Sequence, residues 1–170
     1  MLNDYEGALE TLWTWSDISF TRSVDLEFAP FFARIGNPVA ARMVFESSIP
    51  EHVGFPMSRW VDAIKDPSDV DASLRREVVD WLASARVDKS IETFVLLSVG
   101  EYGERLADAL SLDSIERFAL DDMWMPEFSE FRKTQLFKTT VSGLGMVNYW
   151  RVSGFPTQCR STGADDFECD

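Results

Sequence analysis

The sequence predicts an all-α fold built from short helices packed as hairpins. Three observations support this fold class. Apolar residues recur at helical spacing along most of the chain, turn-forming clusters interrupt them at short intervals, and alternating strand patterns are absent apart from ambiguous runs such as residues 94–99. The 170 residues, 45% of them hydrophobic and 13% aromatic, suffice for one domain with a sizeable core.

The first third of the chain holds an early helical face and two further segments. An aromatic segment over residues 28–35 is separated from a helix over residues 39–45 by Gly36-Asn37-Pro38, a strong turn signal. Pro50 and Gly54-Phe55-Pro56 then mark a loop. The early face consists of Tyr5, Ala8, Leu9 and Leu12.

The middle of the chain has the clearest helical periodicity. Asp71 and Asp88 each precede an apolar face and are predicted N-caps, because a carboxylate there accepts the free N–H groups of the first turn. Asp113 with Glu116 resembles a capping box, and Pro126 suits the first turn of another helix. In total we expect eight to ten short helices and no sheet.

The spacing of the cap-like starts predicts how these helices are arranged. Starts near Asn37 and Asp71 lie 34 residues apart, the length of a tetratricopeptide unit. Short helices cannot bury their apolar faces alone, so they stack on their neighbours. We therefore expect residues 1–170 to form a single helical-repeat-like domain, a tetratricopeptide-like α-α superhelix.

Residues 124–170 carry a series of spaced motifs. They are Trp124-x-Pro126-x-Phe128, Phe131-Arg132, Phe137, Gly143-Leu144-Gly145, Tyr149-Trp150-Arg151, Gly154-x-Pro156-x-x-Cys159-Arg160 and Asp165-Asp166-Phe167-x-Cys169.

This series resembles the C-terminal end of a group of bacterial tetratricopeptide-type helical-repeat proteins. In that group the segment closes the repeat array and is often attached to a winged-helix DNA-binding domain or a nucleotide-cyclase-like domain. Thr134-Gln135 replaces the group's usual Asp-Pro, and Thr134 can still cap a helix.

The charge balance limits the classes of partner. Sixteen Lys and Arg face 29 Asp and Glu, a net charge of −13. This disfavours direct nucleic-acid binding, which depends on neutralising phosphates, and no apolar run is long enough to insert into a membrane. A protein or peptide partner, including a basic one, is compatible with the charge.

The N-terminal sequence and the cysteines bear on the compartment. The start MLNDYEGALE lacks the basic and then apolar pattern of a signal peptide. If Met1 is the native start, we expect a cytoplasmic protein. A fragment containing a Cys159–Cys169 disulfide would fit the periplasm.

The two cysteines, Cys159 and Cys169, are ten residues apart. They can form a structural disulfide, remain two reduced thiols, or act as a metal or redox pair. Their spacing matches no zinc signature, and the acidic run that ends the sequence lacks the spacing and glycine of a calcium loop. We therefore expect no metal site and leave the first two alternatives open.

No catalytic or cofactor motif stands out. His52, the sole histidine, lies in a loop without a neighbouring nucleophile motif, so we interpret it as an ordinary loop residue. Glycine-rich phosphate loops are missing. We expect no cofactor and assign no catalytic, cofactor-binding or metal residue.

The six tryptophans are spread over the helical segments, and most should be core residues. Trp15 and Trp60 have polar neighbours at the ends of predicted elements and are candidate partner-binding aromatics.

The preferred function is a non-enzymatic protein–protein interaction or sensing module of a bacterial regulatory system. The first alternative is a small acidic inhibitor or immunity-type protein that neutralises a basic partner. The second is an enzyme whose site assembles from distant residues.

Overall fold

The structure is a computed structural model and describes residues 26, 28–49, 52–65, 70–110, 123–125, 128–163 and 166–170. Within these residues the protein is mostly helical, which confirms the all-α class. The described helices are α1 Phe28–Arg34, α2 Pro38–Ser48, α3 Met57–Lys65, α4 Ala72–Ser84, α5 Lys89–Ser98, α6 Glu104–Ala109, α7 Ser129–Arg132, α8 Gln135–Gly143 and α9 Met146–Ser153. The strands are β1 Cys159–Ser161 and β2 Phe167–Cys169.

Four helices begin at a residue whose side chain caps the first turn. Asn37, Asp71, Asp88 and Thr134 each accept a hydrogen bond from the main-chain N–H three residues later, as predicted. The oxygen–nitrogen distances lie between 2.7 and 3.2 Å. Because these bonds satisfy N–H groups that lack an intrahelical partner, the starts of α2, α4, α5 and α8 are determined by local sequence.

Consecutive helices pack against each other along the chain. Helix α1 contacts both α2 and α3, and α2 contacts α3. The pairs α4–α5, α5–α6, α7–α8 and α8–α9 also pack together. Short helices thus bury their apolar faces against helices that are close to them in sequence.

Helix α5 lies in the interior. Every residue from Ser90 to Leu97 is buried. A helix that is buried all round needs no polar face, and the second half of α5 is the continuous apolar run of residues 94–97, whereas its first half buries the polar side chains of Ser90 and Thr93. The run over residues 94–99, ambiguous in the sequence, is helical up to Ser98.

Helix α5 also buries one charged residue, Glu92, whose side chain is only 8% exposed. Its carboxylate pairs with Arg105 of α6 and with Lys89 one turn earlier, and Arg105 also donates to the main-chain oxygen of Leu82 at 2.7 Å. Lys89 bonds Asp108 as well, which raises the pKa of Lys89 and lowers that of Asp108. This network joins α4, α5 and α6 without leaving the carboxylate of Glu92 unpaired.

Four aromatic side chains form the core beneath α2, α3 and α4. Phe45 stacks on Phe55 with ring centroids 4.4 Å apart, and Trp60 and Trp81 pack around them. Trp60 is fully buried, and its Nε1 donates to the Ser98 hydroxyl at 2.8 Å. The hypothesis that Trp60 is a partner-binding aromatic is therefore wrong, because its ring holds helices together inside the protein.

The end of the chain corrects the expectation of no sheet. Strands β1 and β2 form a short antiparallel hairpin in which Cys159 lies opposite Cys169. Each strand has only three residues, too few to show a recognisable alternation in the sequence. Several sequence predictions lie outside the described residues: the early helical face of residues 5–12, the candidate aromatic Trp15, the Asp113–Glu116 capping box and the Pro126 helix start.

Candidate functional site

Two glycines shape the C-terminal part of the chain. Gly145 adopts a φ of 75° between α8 and α9, and Gly154 adopts a φ of 98° after α9. Both values lie in the region that favours glycine, so each residue permits a sharp change of chain direction. Helix α8 ends at Gly143 and α9 ends at Ser153, so both helix ends fall at the glycine-containing motifs Gly143-Leu144-Gly145 and Gly154-x-Pro156.

The β-hairpin folds back on α8 and α9 through Phe167. This ring is 3% exposed and lies within 6.5 Å, centroid to centroid, of the rings of Phe137, Trp150 and Phe155. Trp124 packs edge-on against both Phe137 and Trp150. Aromatic pairs at this spacing add to the burial of apolar area, so the hairpin is held on the last helix pair by ring contacts.

Cys159 and Cys169 are joined as a disulfide across the hairpin. Their Cα atoms are 4.0 Å apart, both residues are buried, and they occupy directly opposed positions. Hydrogen bonds close the hairpin on both sides of them, from Asp170 N–H to the Gln158 oxygen and from Thr162 N–H to the Asp166 oxygen. The register of the strands thus places the two sulfurs together.

The disulfide can be tested chemically. We expect a thiol reagent to label neither cysteine in unfolded, unreduced protein and both after reduction. Replacing both cysteines by Ala should lower the free energy of unfolding by about 2–3 kcal/mol, because the ten-residue loop gains freedom in the unfolded chain. Two labelled thiols before reduction would show that the opposed cysteines are not bonded.

Arg132 connects the hairpin to residues 123–125, which precede α7. It is 4% exposed, and its guanidinium donates to the main-chain oxygens of Met123, Met125 and Asp170 at 2.8–2.9 Å. A guanidinium presents its donors in a fixed planar fork, which suits three acceptors held in place. In the sequence Arg132 stands out only within the Phe131-Arg132 motif, and nothing near it in the chain indicates this role, because its three acceptors lie 7 to 38 residues away.

A cleft of about 350 Å³ opens where α7 and α8 meet the hairpin. Lys133 pairs with Glu130, Lys138 with Asp166, and Arg160 with Glu168. Lys138 also lies 5.6 Å from the centre of the Phe167 ring, a cation–π contact. The cleft is lined by Arg132, Lys133, Lys138, Arg160, Glu168, Cys169 and Asp170.

The Lys138–Asp166 pair gives a pH-dependent prediction. The hydrogen bond from Lys138, and then that from the Phe167 N–H, lower the pKa of Asp166. A carboxyl whose pKa is lowered by folding stabilises the fold above its unfolded pKa and loses that contribution as pH falls through the folded pKa. We expect an NMR titration to show a lowered Asp166 pKa that moves back towards the ordinary range in Lys138→Met. An unchanged pKa in that variant would contradict the pairing.

Helix α2 has a separate apolar surface. Val39 is 68% exposed and Met43 is 61% exposed, one turn apart on the same face. Arg42 beside them pairs with Glu46. We call Val39, Arg42 and Met43 the α2 face. Methionine and arginine are enriched at protein interfaces, and exposed apolar side chains grouped on one face favour contact with another chain.

His52 lies in the loop after α2, where its Nδ1 is 2.9 Å from the Ile49 oxygen and its Nε2 is 3.9 Å from Glu46.

In the described ranges no three His, Cys, Asp or Glu side chains group as metal ligands. No helix of the described part is long and apolar enough to cross a membrane.

The described residues contain 14 Lys and Arg and 14 Asp and Glu. The whole net charge of −13 therefore falls on residues outside the described ranges.

Comparisons with known proteins give no family: no protein-family model matches the chain, and no curated protein or solved structure matches it either.

Proposed function

We propose that the chain is a non-enzymatic interaction module, a tetratricopeptide-like stack of hairpins that binds a polypeptide in a bacterial regulatory system. Two features support the layout. Helix α1 contacts both helices that follow it, as in an array of hairpins. The caps at Asn37 and Asp71, both formed in the structure, keep the 34-residue spacing of a tetratricopeptide unit. The resemblance of residues 124–170 to closing segments of such arrays agrees with this layout.

The observation that carries the binding proposal is the α2 face. Its apolar side chains gain nothing from folding, because Val39 and Met43 remain mostly in water. Burying them against a partner would remove that area from water, and Arg42 could exchange its exposed pair with Glu46 for an acidic group of the partner. The occupant we propose is a polypeptide segment with an apolar side chain next to a carboxylate.

Site-specific photocrosslinking in the native cell tests this proposal. A photoreactive phenylalanine at position 43 should give one adduct with a different polypeptide. That adduct should disappear when Val39→Glu is added and persist with Val152→Glu, a substitution of an even more exposed valine on α9. The same probe at exposed Ser58 should give no such adduct. An adduct that survives Val39→Glu, or one made only of two copies of this chain, would overturn the proposal.

The acidic-inhibitor alternative makes a different prediction for the same partner. Its charge would act through residues outside the described ranges, since the described part is balanced. Association by charge complementarity weakens steeply with salt, whereas apolar burial on the α2 face does not. We expect the adduct at position 43 to form equally well in isolated complexes at 0.1 M and 1 M salt. Its loss at 1 M salt would favour the inhibitor.

A further inference from the structure

The cleft between α7, α8 and the hairpin has two halves that are distant in sequence. Arg132, Lys133 and Lys138 come from the helices, and Arg160, Glu168 and Asp170 come from the hairpin. The disulfide and the Phe167 contacts hold the second half against the first. At about 350 Å³ the cleft is as large as small-ligand sites commonly are.

The cations of the cleft differ in how firmly they are held. Arg132 is fixed by three main-chain oxygens and forms a buried floor. The rim cations Lys133, Lys138 and Arg160 pair with carboxylates that are themselves 50–80% exposed, and Arg160 pairs with two of them, Glu168 and Asp170. Ion pairs this exposed contribute little stability, so the rim cations can change partners at low cost.

We propose that this cleft binds a phosphate group. A single carboxylate from a ligand would offer a rim cation only what Glu130, Asp166 or Glu168 already provides. A phosphate group carries about 1.5–2 negative charges at neutral pH and several strong acceptor oxygens, so it competes better than one carboxylate for the cations that line this cleft. The Arg160 guanidinium can bind two of those oxygens in parallel. This site is separate from the α2 face and does not rest on polypeptide binding there.

Two phosphate sources share this chemistry, free phosphate and a phosphorylated side chain. The probes are inorganic phosphate and phosphoserine with blocked termini, each added to the ¹⁵N-labelled, oxidised full chain at pH 7.5. Sodium chloride at matched ionic strength is the reference. We expect saturable amide shifts at Lys133, Lys138 and Arg160 with at least one probe, and the tighter probe identifies the source.

Arg160→Gln should weaken that binding at least fivefold. Arg59→Gln is the matched control, because it removes an exposed arginine that, like Arg160, pairs with a glutamate and an aspartate. Arg59 lies outside both the cleft and the α2 face, so its substitution should change the affinity less than twofold. Unchanged spectra of the other amides will show that Arg160→Gln is folded. Shifts that do not saturate, that match sodium chloride, or that respond equally to both substitutions would overturn the proposal.

Discussion

Trp60→Ala is expected to lower the free energy of unfolding by about 3–5 kcal/mol, the largest effect of any single substitution considered for this chain. The indole is fully buried, packs on Phe45 and Phe55, and donates to Ser98. Its removal leaves a cavity among rigid aromatic neighbours that cannot collapse to fill it, and it leaves the Ser98 hydroxyl without this donor. Urea unfolding followed by far-ultraviolet circular dichroism measures the loss.

Two further variants, both with smaller expected losses of stability, serve as comparisons for that measurement. Trp60→Phe keeps most of the ring area. It should lower the free energy of unfolding by only about 1–2 kcal/mol, because it removes the indole hydrogen bond and leaves a small void. Val152→Ala removes an apolar side chain that is 91% exposed and should change stability by less than about 0.5 kcal/mol. A loss from Trp60→Ala as small as that from Val152→Ala would place the indole outside the core.

Arg132→Met is expected to lower the free energy of unfolding by about 3 kcal/mol. The substitution keeps the length of the side chain but removes the donors to Met123, Met125 and Asp170. The hydrogen bond to Met123 is buried and those to Met125 and Asp170 are partly buried, so the oxygens that lose their donor lack full access to water, and each unsatisfied oxygen lowers the stability. Thermal and urea unfolding should both report the loss.

The neighbouring Lys133→Met is the matched control. Lys133 is 51% exposed and pairs with the exposed Glu130 one turn away, so its loss should cost about 0.5 kcal/mol or less. Arg132→Lys keeps the charge, but an ammonium cannot reach three acceptors in a plane, so it should recover little of the stability. Full recovery by lysine would mean that charge alone, rather than the fork of hydrogen bonds, holds this loop.

Local sequence rules predicted the helix starts and stops well. Asp71 and Asp88 cap their helices through contacts only three residues long, so the information lies within one turn. Gly154 ends α9 for an equally local reason, its positive φ. Such features need no knowledge of the tertiary fold.

Features that depend on distant residues were not predictable from the sequence. Trp60 sits beside Ser58 and Arg59, which are exposed, and this polar neighbourhood suggested an exposed ring. Its burial is decided by Phe45, Phe55 and Ser98, which pattern reading cannot place beside it. Helical periodicity within α3 was the available signal, since Trp60, Ala63 and Ile64 share one face.

The candidate sites likewise combine local features, which the sequence predicts, with contacts between distant residues, which it does not. The cysteine pair was visible as two spaced residues, but its opposition depends on a hairpin whose strands are three residues long. The cleft combines Lys133 and Lys138 with Arg160, and no sequence window contains both halves. The exposed pair on the α2 face follows helical spacing, yet similar spacing on other helices is buried, so only the packing distinguishes them.

Amide hydrogen exchange of the full chain, oxidised and reduced, tests most directly the claim that the disulfide-bonded hairpin is fastened to the last helix pair, α8 and α9. In the oxidised protein we expect slow exchange at the Thr162 and Asp170 amides, which donate across the hairpin, and at the buried Phe137 and Trp150. Reduction should release the two hairpin amides and leave those of α5 protected. Fast exchange at Thr162 and Asp170 in the oxidised protein would contradict the claim.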